Sequence, residues 1–324
     1  MTHESSANDH QLDQHRDPSE AAFVRDLAAG VASRYGGDLM RMRRANGYSN
    51  ATWVGDGIAV RIAHTPIEMA REATLVRALP PGVGHPELLG EGTTEGHGWI
   101  VTKKVRGRNL GEAWPTLTPA QQRQAVHQLW DRTQIVHEAT PALKTHVRSH
   151  GGYVPATLDD ATTAAARANT ALMLSKTQRS RLHHILQGYF QAAPLVRQVV
   201  NHGDLALMNA LWEDDVLALL DFEFAVLGPL EIDLCRLVVE ACVSEDGHLV
   251  ESEAGEAAVQ IAAEHMNPLH GRTLIHGAAV LDQLRDLDIF LTQDSEEPIE
   301  DWRPCRLLTG LLEPEGGYLA PLLK

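Results

Sequence analysis

Aromatic residues make up only 5% of the 324-residue chain, and there are just three cysteines. An odd cysteine count without close pairing excludes a disulfide framework and suits a reducing, cytoplasmic setting. Cys235 and Cys242 fall in an apolar helical stretch and read as small buried hydrophobes. Positive charge is short as well: 28 Lys and Arg stand against 43 Asp and Glu, a formal net charge of -15. A general nucleic-acid binder displays a basic surface. Here the basic residues form only two short clusters, Arg41, Arg43 and Arg44, then Lys103, Lys104, Arg106 and Arg108, so no nucleic-acid partner is expected. Long apolar runs are absent too; Asp, Glu or Arg interrupts each of them, which excludes a membrane-spanning helix. The polar first twenty residues lack the apolar centre of a secretory signal and are expected to be a disordered tail. The 17 histidines, His64, His85 and His97 among them, are too scattered for a metal site.

What is present is a 44% hydrophobic content, enough to bury a large core. Residues 21–35 have helical spacing, with Phe23, Leu27 and Val31 on one face. Short strands are predicted at DLMRMRR, NATWV and IAVRI, with turns at Asn46-Gly47 and around Gly55-Asp56-Gly57. Thr65-Pro66 opens a helix that stops at Pro80-Pro81-Gly82, and strands follow at ELLGEG and WIVTKKV. From Thr118-Pro119 the pattern turns helical: a long helix to about 139, others at about 158–171, 177–192 and 230–290, and two strands at LALMNALW and VLALLDF. The fold class is therefore α+β. A tail at 1–20 precedes a small mixed or antiparallel sheet lobe at 21–106, and a larger, mostly helical lobe fills 107–324.

The stretch from 199 to 237 carries the chemistry. Asp204 lies five residues before Asn209, and Asp221 follows twelve residues later, after a turn and an apolar strand. Phosphoryl transfer from a nucleotide needs one acidic group to orient the acceptor hydroxyl and take its proton, and oxygen ligands to hold Mg²⁺ on the phosphates. Asp204 suits the first task, Asn209 and Asp221 the second. The plain alternative is a polar loop with a capping Asp and a turn Asn. Upstream, Gly47, Ser49 and Asn50 sit in a turn between strands, where backbone amides can face a phosphate. Arg61, inside IAVRI, has to be exposed or paired. Glu72 in the next helix is its natural partner, and the pair could hold the α- and β-phosphates.

On these residues the chain resembles the aminoglycoside phosphotransferase and choline kinase-like family, whose members have a bilobal protein-kinase-like fold. The resemblance spans roughly 36–315. Its most specific motif is His202-Gly203-Asp204-Leu205 with Asn209, then Leu220-Asp221-Phe222-Glu223. It implies that Asp204 is catalytic, that Asn209 and Asp221 bind Mg²⁺, and that Arg61, Glu72, Gly47, Ser49 and Asn50 serve the nucleotide. It also implies an adenine-holding hinge at Thr102, Lys103 and Val105, and a structural Asp233 that accepts bonds from the catalytic-loop amides. His202 is expected to pack under that loop. Two departures stand out. The hinge is basic, which leaves ATP against GTP open, and the loop reads Leu205-Ala206-Leu207-Met208 where many members carry His-Pro-Gly.

The implied activity is transfer of phosphate from ATP, with GTP an alternative, to a hydroxyl of a small molecule. An antibiotic is the leading acceptor, as resistance or self-resistance. Glu240, Glu245, Asp246, Glu251, Glu253, Asp282, Asp286 and Asp288 would favour a cationic one. A metabolic kinase of choline, homoserine or sugar type, and a non-catalytic nucleotide-binding module, are the other readings. Only eleven residues separate Asp221 from Asp233, too few for the peptide-docking segment of a protein kinase. Monomer and homodimer both stay open.

Overall fold

The computed structural model describes residues 18–45, 50–64, 69–147, 155–291, 299 and 302–324. The turn residues Gly47 and Ser49 and the Thr65-Pro66 helix start lie outside that set. The fold is α+β and divides into two compact units. One comprises the described residues up to Leu79 together with His85–Arg106; the other comprises Pro80–Gly84 and Gly107–Lys324.

The first unit opens with helix α1 (Pro18–Arg34), which begins three residues ahead of the expected start. The stretch read as a first strand splits. Asp38 caps a 3-10 turn at Leu39–Arg41 by accepting from the Met40 amide at 3.0 Å, and only Arg43–Ala45 is strand, β1. An antiparallel sheet continues with β2 (Asn50–Gly55), β3 (Ile58–Ala63), β4 (Leu88–Thr94) and β5 (His97–Lys103), in the order β1-β2-β3-β5-β4. Side chains alternate faces along a strand. Ile58, Val60 and Ile62 therefore join Val24, Ala28 and Val31 of α1 in one core cluster. Ala63 turns to the other face and packs with Met69 and with Ala73 of α2 (Ala70–Ala78). Each such fully buried Val, Ile or Leu contributes about 1.5–3 kcal/mol. Arg61 shares the odd-numbered face with Ala63, which puts it on the side where α2 lies.

The second unit is built on helices. Thr118 caps α3 (Pro119–Glu138) in a capping box with Gln121, and Pro119 takes the first turn. α4 (Leu158–Leu172) and α5 (Lys176–Ala192) begin with the same device, at Thr157 with Asp160 and Ser175 with Gln178. Then come α6 (Glu231–Cys242), α7 (Glu253–His265), α8 (Gly271–Leu291) and α9 (Arg303–Leu311). α6 is the centre: all of its residues but Glu240 are buried, and it packs against both α7 and α8. Two small antiparallel ladders complete the unit. β6 (Arg108–Asn109), β8 (Ala210–Glu213) and β9 (Asp215–Leu219) form one. β7 (Val199–Asn201) and β10 (Val226–Gly228) form the other, with Asn201 opposite Val226. The strand expected at LALMNALW is shorter than its apolar run suggests. It starts at Ala210, and Leu207–Asn209 is a 3-10 turn.

All three cysteines are free and buried. No helix among the described residues is long and apolar enough to cross a membrane.

Candidate active site

His202, Gly203, Asp204 and Asn209 lie on the loop between β7 and β8, and Asp221 follows β9. Gly203 holds φ at +81°, and a Cβ there would lie 2.1 Å from the Phe224 carbonyl oxygen. Only glycine makes that turn without strain. The turn exposes Asp204, whose side chain is about a fifth accessible, while His202 is fully buried.

His202 spends both ring nitrogens on backbone. Nε2 donates to the Leu220 carbonyl at 2.8 Å, and Nδ1 accepts from the Asp204 amide at 3.4 Å. Its ring also packs against that of Phe222, which is buried, with centroids 4.5 Å apart and the planes tilted by 43°. With both nitrogens occupied, His202 has no site left for a substrate proton. It ties the loop to the segment after β9. A backbone bond from Leu220 to the Asn209 carbonyl at 2.8 Å ties the same two segments again. Asp221, between these anchored neighbours, sits at φ 60°. That left-handed conformation is costly for a non-glycine residue and tends to be kept where function requires it.

Asn209 donates its amide hydrogens to Asp204, to the backbone carbonyl at 2.9 Å and to Oδ2 at 3.0 Å. Its carbonyl oxygen is the group left for a cation. That oxygen and the Asp221 carboxylate are both hard-oxygen groups of the kind Mg²⁺ takes.

A single face of α6 supports the loop. Asp233, fully buried, accepts from the His202 and Gly203 amides at 2.9 and 3.0 Å and from His137 Nε2 at 2.9 Å. One turn on, Arg236 donates to Asp204 Oδ1 at 2.8 Å. Glu240, a further turn on, accepts from the Leu207 amide at 3.0 Å. On the far side of the loop, Asn109 caps the short helix Leu110–Ala113 and donates to the Met208 carbonyl. Backbone geometry is thus held along the whole 202–209 segment.

Burial alone would push the Asp204 carboxyl up. The Arg236 and Arg285 guanidiniums, with the Asn209 hydrogen bond, outweigh it and hold the group below the usual carboxylate range. Asp286 goes the other way, raised by its own burial and by Asp282 and Asp204 beside it.

In the first unit Arg61 of β3 donates to the Glu72 carboxylate of α2; both side chains are largely buried. Asn50 is buried at the head of β2, opposite Ala63. At the expected hinge, Thr102 lies opposite Ala59 in the sheet. The Lys103 and Lys104 amides bond to the Glu87 and Gly57 carbonyls at 2.8 Å, and Val105 is half-buried.

Sequence reading missed Arg236 and Arg285. A signal was present: α6 is apolar apart from charges at 231, 233, 236 and 240, spacings that place three of them on one helical face. Several of the carboxylates expected to favour a cationic acceptor are engaged in ion pairs. Asp282 and Asp286 pair with Arg236 and Arg285, Asp288 with Arg167, and Glu240 with Arg236 and the loop. Each is engaged in an ion pair, with Arg236 and Arg285 shared among Asp204, Glu240, Asp282 and Asp286.

The phosphotransferase enzyme family matches residues 42–269. Among solved structures, the chain is similar to a choline/ethanolamine kinase family protein from Mesorhizobium loti. That match has TM-score 0.64 and 16% identity, covering 94% of this chain and 99% of that one. An aminoglycoside 2'-phosphotransferase-IIIa in complex with GDP superposes at TM-score 0.62 with 17% identity, covering 83% and 92%. A macrolide 2'-phosphotransferase from Brachybacterium faecium gives TM-score 0.55 and 18% identity, covering 83% and 94%. At such identities the likeness speaks for the fold. No curated protein matches the chain in sequence.

Proposed function

Since the chain belongs to the phosphotransferase enzyme family, we propose that it moves the γ-phosphoryl group of ATP or GTP onto a hydroxyl of a small molecule, with an antibiotic as the acceptor class. The observation that carries this reading is the Asp204 carboxylate, ionised and held between Asn209 on one oxygen and Arg236 on the other. An acceptor hydroxyl donates its hydrogen bond to that carboxylate. As its oxygen attacks the γ-phosphorus, the bond to the β–γ bridging oxygen breaks, the nucleoside diphosphate leaves, and the proton passes to Asp204. The transition state is loose, so positioning matters more than a strong base, and a carboxyl below its usual range is adequate. Asn209 and Asp221 would hold Mg²⁺, which supplies charge neutralisation on the phosphates. Arg61, fixed by Glu72, would serve the α- and β-phosphates, and residues 102–105 the adenine or guanine ring.

The likenesses to aminoglycoside and macrolide phosphotransferases support antibiotics as the first compounds to try. The pairing of Asp282, Asp286 and Asp288 with arginines disfavours a polycation held by those carboxylates.

The test is nucleoside diphosphate release with Mg²⁺ and ATP or GTP across hydroxylated antibiotics, choline, homoserine and sugars. Mass spectrometry of the product locates the phosphate. Asp204→Ala is expected to lower turnover by about 10²–10⁴-fold while nucleotide binding persists. Near-normal turnover in that variant would sink the assignment, and turnover on a metabolite alone would move the protein to metabolism.

A further inference from the structure

Two arginines converge on Asp204 from different helices, and one buried carboxylate holds them both. Arg236 on α6 sends Nη2 to Asp204 Oδ1 at 2.8 Å and Nη1 to Asp282 Oδ2 at 3.0 Å. Arg285, one turn beyond Asp282 on α8, sends Nη2 to Asp282 Oδ1 at 2.8 Å and to Asp286 Oδ1 at 2.8 Å. The same Nη2 lies 3.5 Å from Asp204 Oδ1, and Nη1 donates to the Gly203 carbonyl at 3.2 Å. Asp282 gives one oxygen to each arginine, and all three side chains are buried.

This is more than α6–α8 packing requires. The Arg236–Asp282 bond alone already joins the two helices. The second arm of Arg236 reaches out of that pair to Asp204, a partly exposed carboxylate on the 202–209 loop. A planar guanidinium has its donors in a fixed fork, so anchoring one nitrogen on Asp282 aims the other. Asp204 is thereby gripped on Oδ1 by Arg236 and on Oδ2 by Asn209, and rotation of the carboxylate would break one bond or the other.

We propose that Arg236, braced by Asp282 and Arg285, is the positioning residue of the phosphoryl transfer, fixing the Asp204 carboxylate in the orientation that receives the acceptor's hydrogen bond. The inference rests on Asp204 being the base. Arg236 acts through Asp204 and touches no substrate. Misplacing a reacting group by about 1 Å costs about 10²-fold in rate, which sets the expected effect.

The experiment compares wild type, Arg236→Lys and Arg236→Met for turnover of Mg²⁺–ATP and Mg²⁺–GTP, with water and then the antibiotic panel as acceptor. Each substitution is repeated in the Asp204→Ala background. Arg236→Met is expected to lower kcat by about 10²-fold with little change in the nucleotide KM, and Arg236→Lys to recover part of the loss. In the Asp204→Ala background the same substitution should cost almost nothing further, because its target is gone. An equal fold-loss in both backgrounds, or a loss confined to nucleotide KM, assigns Arg236 to packing and overturns the proposal. Should Arg236→Met fail to fold, Asp282→Asn keeps Arg236 in place with a neutral isostere. It is expected to lower kcat by about 10-fold, again only when Asp204 is present; an unchanged kcat overturns the proposal. Wild type silent with both nucleotides and every acceptor overturns the phosphotransfer reading itself. Wild type active with the Arg236 variants unimpaired overturns this inference alone.

Discussion

Asp233 is the residue on which the candidate site depends most. Its two oxygens accept three hydrogen bonds, two from loop amides and one from His137, in a fully buried place. Asp233→Asn keeps the shape but turns one acceptor into a donor facing donors. Unsatisfied buried groups of this kind cost about 1–3 kcal/mol each. The variant is expected to lose about 3 kcal/mol in denaturant unfolding and most of its turnover. A stability within 1 kcal/mol of wild type, on the scale of one ordinary hydrogen bond, would show that the loop amides find other partners. Two positions along the chain, Glu231 has the opposite character. It is buried, with burial pushing its carboxyl up, against the Asn267 amide bond and His137 that pull it down. A raised folded-state pKa means its contribution to stability is present below about pH 4.3, the usual Glu value, and is lost as pH rises through the folded value. Glu231→Gln keeps the acceptor for Asn267 without the charge. Its Tm relative to wild type should therefore be higher at pH 8 than at pH 5. The reverse order would contradict the burial argument.

At the scale of elements, α6 and the 202–209 loop act as one piece. Asp233, Arg236 and Glu240 meet the loop on successive turns, and Gly203 lets the chain bend sharply enough to meet them. Gly203→Ala puts a Cβ against the Phe224 carbonyl, a backbone atom that cannot swing aside. The expected cost is about 2–4 kcal/mol, read by thermal unfolding together with loss of turnover. A neutral result would mean that the 203–204 and 224 segments can separate without penalty. Much of this level was legible in the sequence. The capping box at Thr118 and the helix it starts follow from local hydrogen bonding. The expected strand fails over 205–209 for a tertiary reason. Leu205 and Leu207 are buried under the loop, so apolar side chains alone imitated a strand, while the backbone was committed to Asp204, Asn209 and α6.

At the scale of the whole molecule, the division into two units is not a single cut in the chain. Pro80–Gly84 belongs with the second unit although it precedes β4 and β5 of the first. Arg132 on α3 holds it, donating to the Gly82 carbonyl at 2.7 Å and to the Val216 carbonyl at 2.8 Å. Val83 is fully buried there. Val83→Ala is expected to cost about 1–2 kcal/mol and to raise amide exchange in α3 and β9, with β2 and β3 at wild-type levels. Faster exchange in β2 and β3 instead would place Val83 in the first unit.

The sequence by itself determined the class of fold and marked Asp204, Asn209 and Asp221 as candidates, because periodicity, caps and motif spacing act over a few residues. It also paired Arg61 with Glu72, since the two are eleven positions apart on adjoining elements. Only the tertiary structure decided what surrounds Asp204. Arg236 is 32 positions from it, and Arg285 lies 82 from Gly203. No local pattern reveals which of many buried charges will meet when α6 and α8 pack. Nor does composition reveal that acidic residues at 282, 286 and 288 pair with arginines, because pairing depends on distances set by the packed core.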